Sequence, residues 1–208
     1  MSLDIKVFPY GPLGENTYLV TDEDSGYKAI IDPGYYGDDV AECIGESNTL
    51  KYIILTHGHF DHLYAAEEYK ERYSNAELIA PDKEKYLVHK DWINDVLTRG
   101  MTVKNCPEPD MYVSEDSELK LGNTEFTFIH TPGHTEGGMC IKSGDIIFTG
   151  DTLFKLSVGN TSLETGNWDE LLDSIKNKLF LLDEDTVVYP GHGMSTTIGY
   201  EKRVNPFV

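Results

Sequence analysis

The stretch YIILTHGHFDH, residues 52–62, runs from the apolar segment Tyr52-Ile53-Ile54-Leu55 straight into three histidines and an aspartate. An unbroken apolar run that ends in a glycine-containing turn reads as a strand buried on both faces. The whole chain has only 7 histidines, so three of them packed behind one buried strand need a common purpose. The strand fixes their position and Gly58 lets the backbone turn sharply. His57 and His59, two residues apart, can reach one metal ion in an extended or turn conformation, while Asp61 and His62 can face another. Zinc takes nitrogen ligands at ~2.0–2.1 Å and carboxylate oxygens at ~2.0–2.2 Å, with about four donors in a closed site. The motif alone is short of that number.

The missing donors are expected at the ends of other apolar runs. FIHTPGH, IIFTGD and VVYPGHG close in the same kind of loop as IILTHGH and deliver His134, Asp151 and His192. With His57, His59, Asp61 and His62 they make five histidines and two aspartates, enough for two ions sharing one carboxylate. Taken singly, His134 or His192 reads as a hydrogen-bonded turn residue. The cluster at 57–62 does not, because three imidazoles this close would repel on protonation and lack partners when buried without metal. His89 and His130 have no such company; His89 is expected on a helix surface and His130 packed in or near the core.

The remaining sequence supplies a scaffold for such a rim. IKVFPY, NTYLVTD, KAIIDPG, AELIAPD, TEFTFIHTPG and GMCIKSG read as further strands bounded by turn residues. Helical spacing occurs in DDVAECIGE, in HLYAAEEYKERY and in WDELLDSIKNKLFLL. Strands outnumber helices and the helices lie between groups of strands, which predicts an α+β sandwich. The 208 residues, 39% hydrophobic, are expected to form one domain over 1–208. A net charge of −19 opposes nucleic acid and anionic membranes as partners and leaves a small-molecule substrate. Cys43, Cys106 and Cys140 have no CxxC spacing, and no secretion signal or membrane span is visible, so a cytoplasmic setting is expected. Oligomeric state has no signature in the sequence.

THGHFDH, TPGHTEGG, GDTLF and YPGHG, in this order, resemble the metallo-β-lactamase superfamily, and within it the glyoxalase II-like (hydroxyacylglutathione hydrolase-like) short hydrolases. The resemblance implies a four-layer αββα sandwich. It implies one ion at His57, His59 and His134, another at Asp61, His62 and His192, and Asp151 between them. It also matches Asp32 of IIDPG to an aspartate that orients a ligand histidine, although a turn aspartate at a strand end is an equal reading of Asp32 by itself.

The departures narrow the expectation. Asp151 stands where class B β-lactamases carry cysteine, and His59 where diiron flavoproteins carry glutamate. The chain stops soon after His192, without the C-terminal helical segment of authentic hydroxyacylglutathione hydrolases. Gly159-Asn160-Thr161-Ser162 replaces a Gly-Arg-Thr-Asp pattern of short relatives, removing a guanidinium that Lys155 could replace or, as an exposed lysine, leave unreplaced. The expected function is metal-dependent hydrolysis of a thioester or related activated acyl bond by a hydroxide shared between two divalent ions, zinc first, with iron or manganese also compatible. Asp61 is expected to orient that hydroxide. Rival readings are a persulfide dioxygenase-like oxidoreductase with one iron at His57, His134 and Asp151, a lactonase, and a non-catalytic metal protein. Residues 86–110 read equally as a lid over the site or as outer packing.

Overall fold

The computed structural model describes residues 2–92, 95–115 and 117–208. Two six-stranded mixed sheets face each other. The first contains, in spatial as in chain order, β1 (Leu3–Phe8), β2 (Thr17–Asp22), β3 (Lys28–Ile31), β4 (Leu50–Ile54), β5 (Glu77–Pro81) and β6 (Met111–Val113). The strands β7 (Glu118–Leu121), β8 (Thr124–His130), β9 (Met139–Ser143) and β10 (Ile146–Gly150) continue into the second sheet. A small hairpin, β11 (Leu153–Phe154) and β12 (Ser157–Val158), precedes β13 (Val187–Pro190) and β14 (Thr196–Thr197), and the second sheet runs β14-β13-β10-β9-β8-β7.

Alternation along each strand sorts side chains into three apolar layers. Tyr18, Val20, Ile31 and Ile54 of the first sheet meet Phe126, Phe128, Ile141 and Phe148 of the second in the central layer. Their neighbours Leu19, Ile30 and Ile53 point outward onto α1 (Asp38–Ile44) and α3 (Ala66–Arg72), against Val40, Ile44 and Tyr69. On the far side Cys140, Ile147 and Val188 pack against Leu171 and Ile175 of α5 (Trp168–Asn177) and Ile198 of α6 (Ile198–Val204). Strands covered on both faces explain the continuous apolar runs. The αββα sandwich expected from the sequence is the observed architecture.

Two helical expectations change in detail. HLYAAEEYKERY does not form one helix: α2 (Phe60–Leu63) ends at Tyr64, and Ala65 (φ −104°, ψ 9°) breaks the geometry before α3. The break aims Asp61 and His62 inward while Tyr69 faces the outer layer. WDELLDSIKNKLFLL stops as an α-helix at Asn177 and tightens into a 3-10 turn, Leu179–Leu181, after Lys178 leaves helical dihedrals. Asn167 caps α5, its side-chain oxygen accepting from the amides of Asp169 and Glu170.

Replacing the fully buried Phe126 by alanine is expected to cost about 3–5 kcal/mol in denaturant unfolding, whereas Leu181→Ala, at a side chain 77% exposed, shifts stability by less than about 0.5 kcal/mol.

Candidate metal centre

All seven predicted donors lie beyond strand ends at one rim of the sandwich. His57 and His59 follow β4, Asp61 and His62 lie in α2, His134 is in the β8–β9 connection, Asp151 follows β10 and His192 follows β13. Donor atoms of His57, His59 and His134 fall within 4.8 Å of one another, as do those of Asp61, His62 and His192. Asp151 lies between these groups: its carboxylate is 3.3 Å from His62 Nε2, 3.4 Å from His134 Nε2 and 3.6 Å from His192 Nε2. Asp61 Oδ2 is 3.3 Å from His192 Nε2. His59 Nδ1 and His134 Nε2 face each other at 2.8 Å.

The outward nitrogens have protein partners, which determines what the inward ones offer. His62 Nδ1 is 2.9 Å from Asp32 Oδ2, and His134 Nδ1 is 2.8 Å from the carbonyl oxygen of Asn160. Thr56 donates its hydroxyl to Asp32 Oδ2 at 2.7 Å, so its oxygen is free to accept from His57 Nδ1 at 3.0 Å. These contacts put the ring protons outside and turn lone pairs inward. The inward atoms His57 Nε2, His62 Nε2 and Asp151 Oδ1 are buried and make no hydrogen bond. Buried polar atoms are normally paired. Orphaned donors of this kind, converging from imidazoles and a carboxylate, suit divalent cations.

Burial lowers the His57 pKa far below the usual histidine range, reinforced by His62 and His134, and burial with His134 beside it brings His59 to about 3. Both are therefore neutral, the form that ligates metal. His62 behaves oppositely: burial opposes its charge, but Asp151, Asp32 and Asp61 together raise its pKa well above the ordinary value. Asp151 stays ionised, the cost of its burial outweighed by His62 and His134.

Asp32 acts as an orienter rather than a simple turn residue, since its Oδ1 also accepts the Thr56 amide at 2.7 Å. Its backbone does turn, with φ at 51°. Gly58 serves a different end from the expected sharp turn. Its φ is not positive, and a Cβ there would sit 2.6 Å from Leu87 Cβ and 2.8 Å from Val88 N, so the glycine admits close approach of α4 (Lys85–Val88).

Several contributors escaped the sequence reading. Buried Glu84 accepts the amides of Gly58 at 2.7 Å and Gly137 at 2.8 Å, tying together the loops that carry His57, His59 and His134. Glu15 is wholly buried, with donor atoms of Glu15, Asp32 and His62 within 4.8 Å of one another, and burial raises its pKa. No periodicity marks either glutamate, because each occupies a connection. Trp92 packs edge-on against His59, ring centroids 5.9 Å apart. Within the segment 86–110, Trp92, Val103 and Cys106 all join the outer layer, Trp92 also bordering His59, with residues 93 and 94 outside the described set. His89, at the C-terminal end of α4, lies 2.9 Å from the Tyr112 hydroxyl. His130 is a half-buried strand-end residue whose Nε2 lies 3.0 Å from the Glu136 carbonyl oxygen, and it does not enter the core.

A sequence model of the metallo-beta-lactamase superfamily matches residues 10–192. The chain belongs to that superfamily. It is 35% identical to the hydroxyacylglutathione hydrolase GloC of Haemophilus influenzae over 99% of this chain and 98% of that protein. The crystal structure of the BLEG-1 B3 metallo-beta-lactamase superposes with a TM-score of 0.88 at 31% identity, covering 98% of this chain and 99% of the other. The crystal structure of TTHA1623 in a di-iron-bound form gives a TM-score of 0.85 at 32% identity, covering 98% and 100%.

Asp32→Ala removes the acceptor that orders Thr56 and His62, and is expected to weaken metal retention by about 10–100-fold. Metal content after graded dialysis against a chelator reads the effect.

Proposed function

We propose that this chain is a metal-dependent hydrolase that cleaves a thioester or a related activated acyl bond at the seven-residue centre. The observation that carries the reading is the set of buried, unpartnered donors on His57, His62 and Asp151, with the ring nitrogens behind them already committed. The superfamily and a hydroxyacylglutathione hydrolase relative support it. Two donor groups flanking Asp151 favour two ions, and a related chain solved with two irons leaves zinc, iron and manganese all open to the same donors.

Divalent ions bound there supply a water of lowered pKa and a Lewis acid for the carbonyl oxygen. Among the described residues no cysteine thiol stands at the centre: Cys106 belongs to the outer layer beside α1 and α3, and Cys140 to the layer beneath α5. The chain's task is to position. Asp61, with its carboxyl held below the usual range against the cost of burial by His62 and His192, is an acceptor placed to orient an attacking water. The donor set contains no uncommitted acid to protonate a departing group. A thiolate needs none, which favours a thioester over an amide.

The same reading takes residues 1–208 as one domain acting on a small molecule in the cytoplasm. The net charge of −19 supports it against nucleic acid and anionic lipid. No helix among the described residues is long and apolar enough to cross a membrane.

Protein purified without chelator or added metal is expected to hold about two divalent ions per chain by mass spectrometry, and to hydrolyse members of a panel of thioesters led by S-lactoylglutathione. A single iron with oxygen consumption on persulfides would replace the hydrolase reading by an oxidoreductase one. Asp61→Asn should lower kcat by about 10²–10⁴-fold on whichever thioester is cleaved.

A further inference from the structure

Two hollows open along the flank of the sandwich beside His192, where edge strand β1 of the first sheet approaches β13 and β14 of the second. One, of about 610 Å³, is lined by Val7, Tyr189 and Met194 among others; the other, of about 420 Å³, includes Tyr200. Lys155 and Ser195 belong to both, so the hollows form one trough with the lysine at its waist. Its near end begins at Gly193 and Met194, immediately after His192, and Phe154, the residue before Lys155, packs edge-on against the His192 ring at 6.0 Å.

The charge of this trough departs from that of the molecule. Acidic residues number 36 of 208, yet neither hollow has an Asp or Glu in its lining. Among the described residues the exposed Lys155 side chain makes no hydrogen bond or ion pair. Leu156, next in the β11–β12 turn, has its amide held at 2.9 Å by the buried carboxylate of Glu201. Met194 and Val7 stand 68% and 50% exposed on the trough wall. An uncovered apolar wall beside an exposed, unpaired cation, in a chain whose general field repels anions, is a local exception that fits a ligand of the same pattern.

We infer that the Lys155 trough is a substrate subsite for an otherwise apolar arm that ends in a carboxylate or a comparable anionic group. The inference rests on the hydrolase reading and adds its specificity: the arm extends from the cleaved bond past His192, its chain against Met194 and its charge at the lysine.

Binding is tested directly on the full chain as purified, with methionine methyl groups labelled for NMR and Met194 assigned through Met194→Leu. The probe is hexane-1-sulfonate, a poor metal ligand, with hexan-1-ol as its uncharged counterpart. The sulfonate should shift the Met194 methyl saturably, and Lys155→Ala should weaken that binding about fivefold, to the level of the alcohol, while Lys176→Ala changes nothing. An unmoved Met194 signal, or a Lys155→Ala titration equal to that of the unsubstituted chain, overturns the subsite. A kinetic arm compares thioesters that carry or lack a terminal carboxylate, on the acyl side in one series and on the thiol side in another. Lys155→Ala should lower kcat/KM for the charged member of one series about fivefold and leave the uncharged one alone; equal effects in both series also overturn the subsite. If no thioester is cleaved at all, the hydrolase reading fails, and the Met194 titration decides the subsite independently.

Discussion

Asp32 ends β3 with its backbone in the left-handed region, at φ 51°, a conformation that costs a non-glycine residue about 1 kcal/mol or more. From there its carboxylate accepts the amide and the hydroxyl of Thr56 and faces His62 Nδ1. Because β3 and β4 run parallel with Ile31 beside Ile54, the ends of the two strands arrive at the rim together, and the bonds to Asp32 lock them there. The Thr56 hydroxyl, committed as a donor to Asp32, can only accept from His57. One buried carboxylate therefore fixes the proton on two imidazoles that belong to different donor groups. The remaining loops are held to this corner by Glu84, through the amides of Gly58 and Gly137.

This arrangement concentrates negative charge where the protein can least solvate it. Asp32, Asp61 and Asp151 surround His62, and their combined field overcomes the penalty of charging a buried ring. Around His57 the balance is reversed: burial prevails, and the neighbouring histidines His62, His134 and His59 add to the lowering. A lone proton on His62 answers only part of the carboxylate charge, and it blocks the nitrogen that points inward. Divalent cations answer more of that charge and use the orphaned atoms as well, so the electrostatics and the hydrogen-bond inventory favour the same occupant.

Legibility in the sequence followed exposure to a regular pattern. Strands buried on both faces announce themselves as apolar runs, so β2, β4, β8, β9, β10 and β13 were readable, along with every donor placed at the end of one. The two-residue strands of the β11–β12 hairpin and β14 were not, being too short to show alternation. The tract 62–73 looked like a single helix because apolar spacing continues across Ala65; what breaks it is the need for Asp61 and His62 to face the rim while Tyr69 faces the outer layer. Glu15 and Glu84 were invisible for a different reason. A buried glutamate in a connection shows no periodicity: Glu84 accepts backbone amides from two separate loops, and Glu15 accepts the Thr17 hydroxyl at 3.2 Å while lying beside Asp32 and His62.

Asn160 shows how the centre and its surroundings are separated. It lies in the loop that reaches His134. The group that positions His134 is the main-chain carbonyl of Asn160, which any residue supplies. The side chain turns back on its own loop, its Oδ1 accepting the amide of Ser162 at 2.9 Å. Exchange of the side chain at 160 thus leaves the metal-facing geometry intact. The flank that holds Lys155 is likewise anchored by backbone, through the Leu156 amide on Glu201, so its side chain is equally free to set charge without disturbing a donor. The buried side chains of the centre cross-brace one another, whereas Asn160 and Lys155 are exposed side chains on loops anchored through backbone bonds. A scaffold built in this way can change the substrate it accepts without changing the reaction it performs.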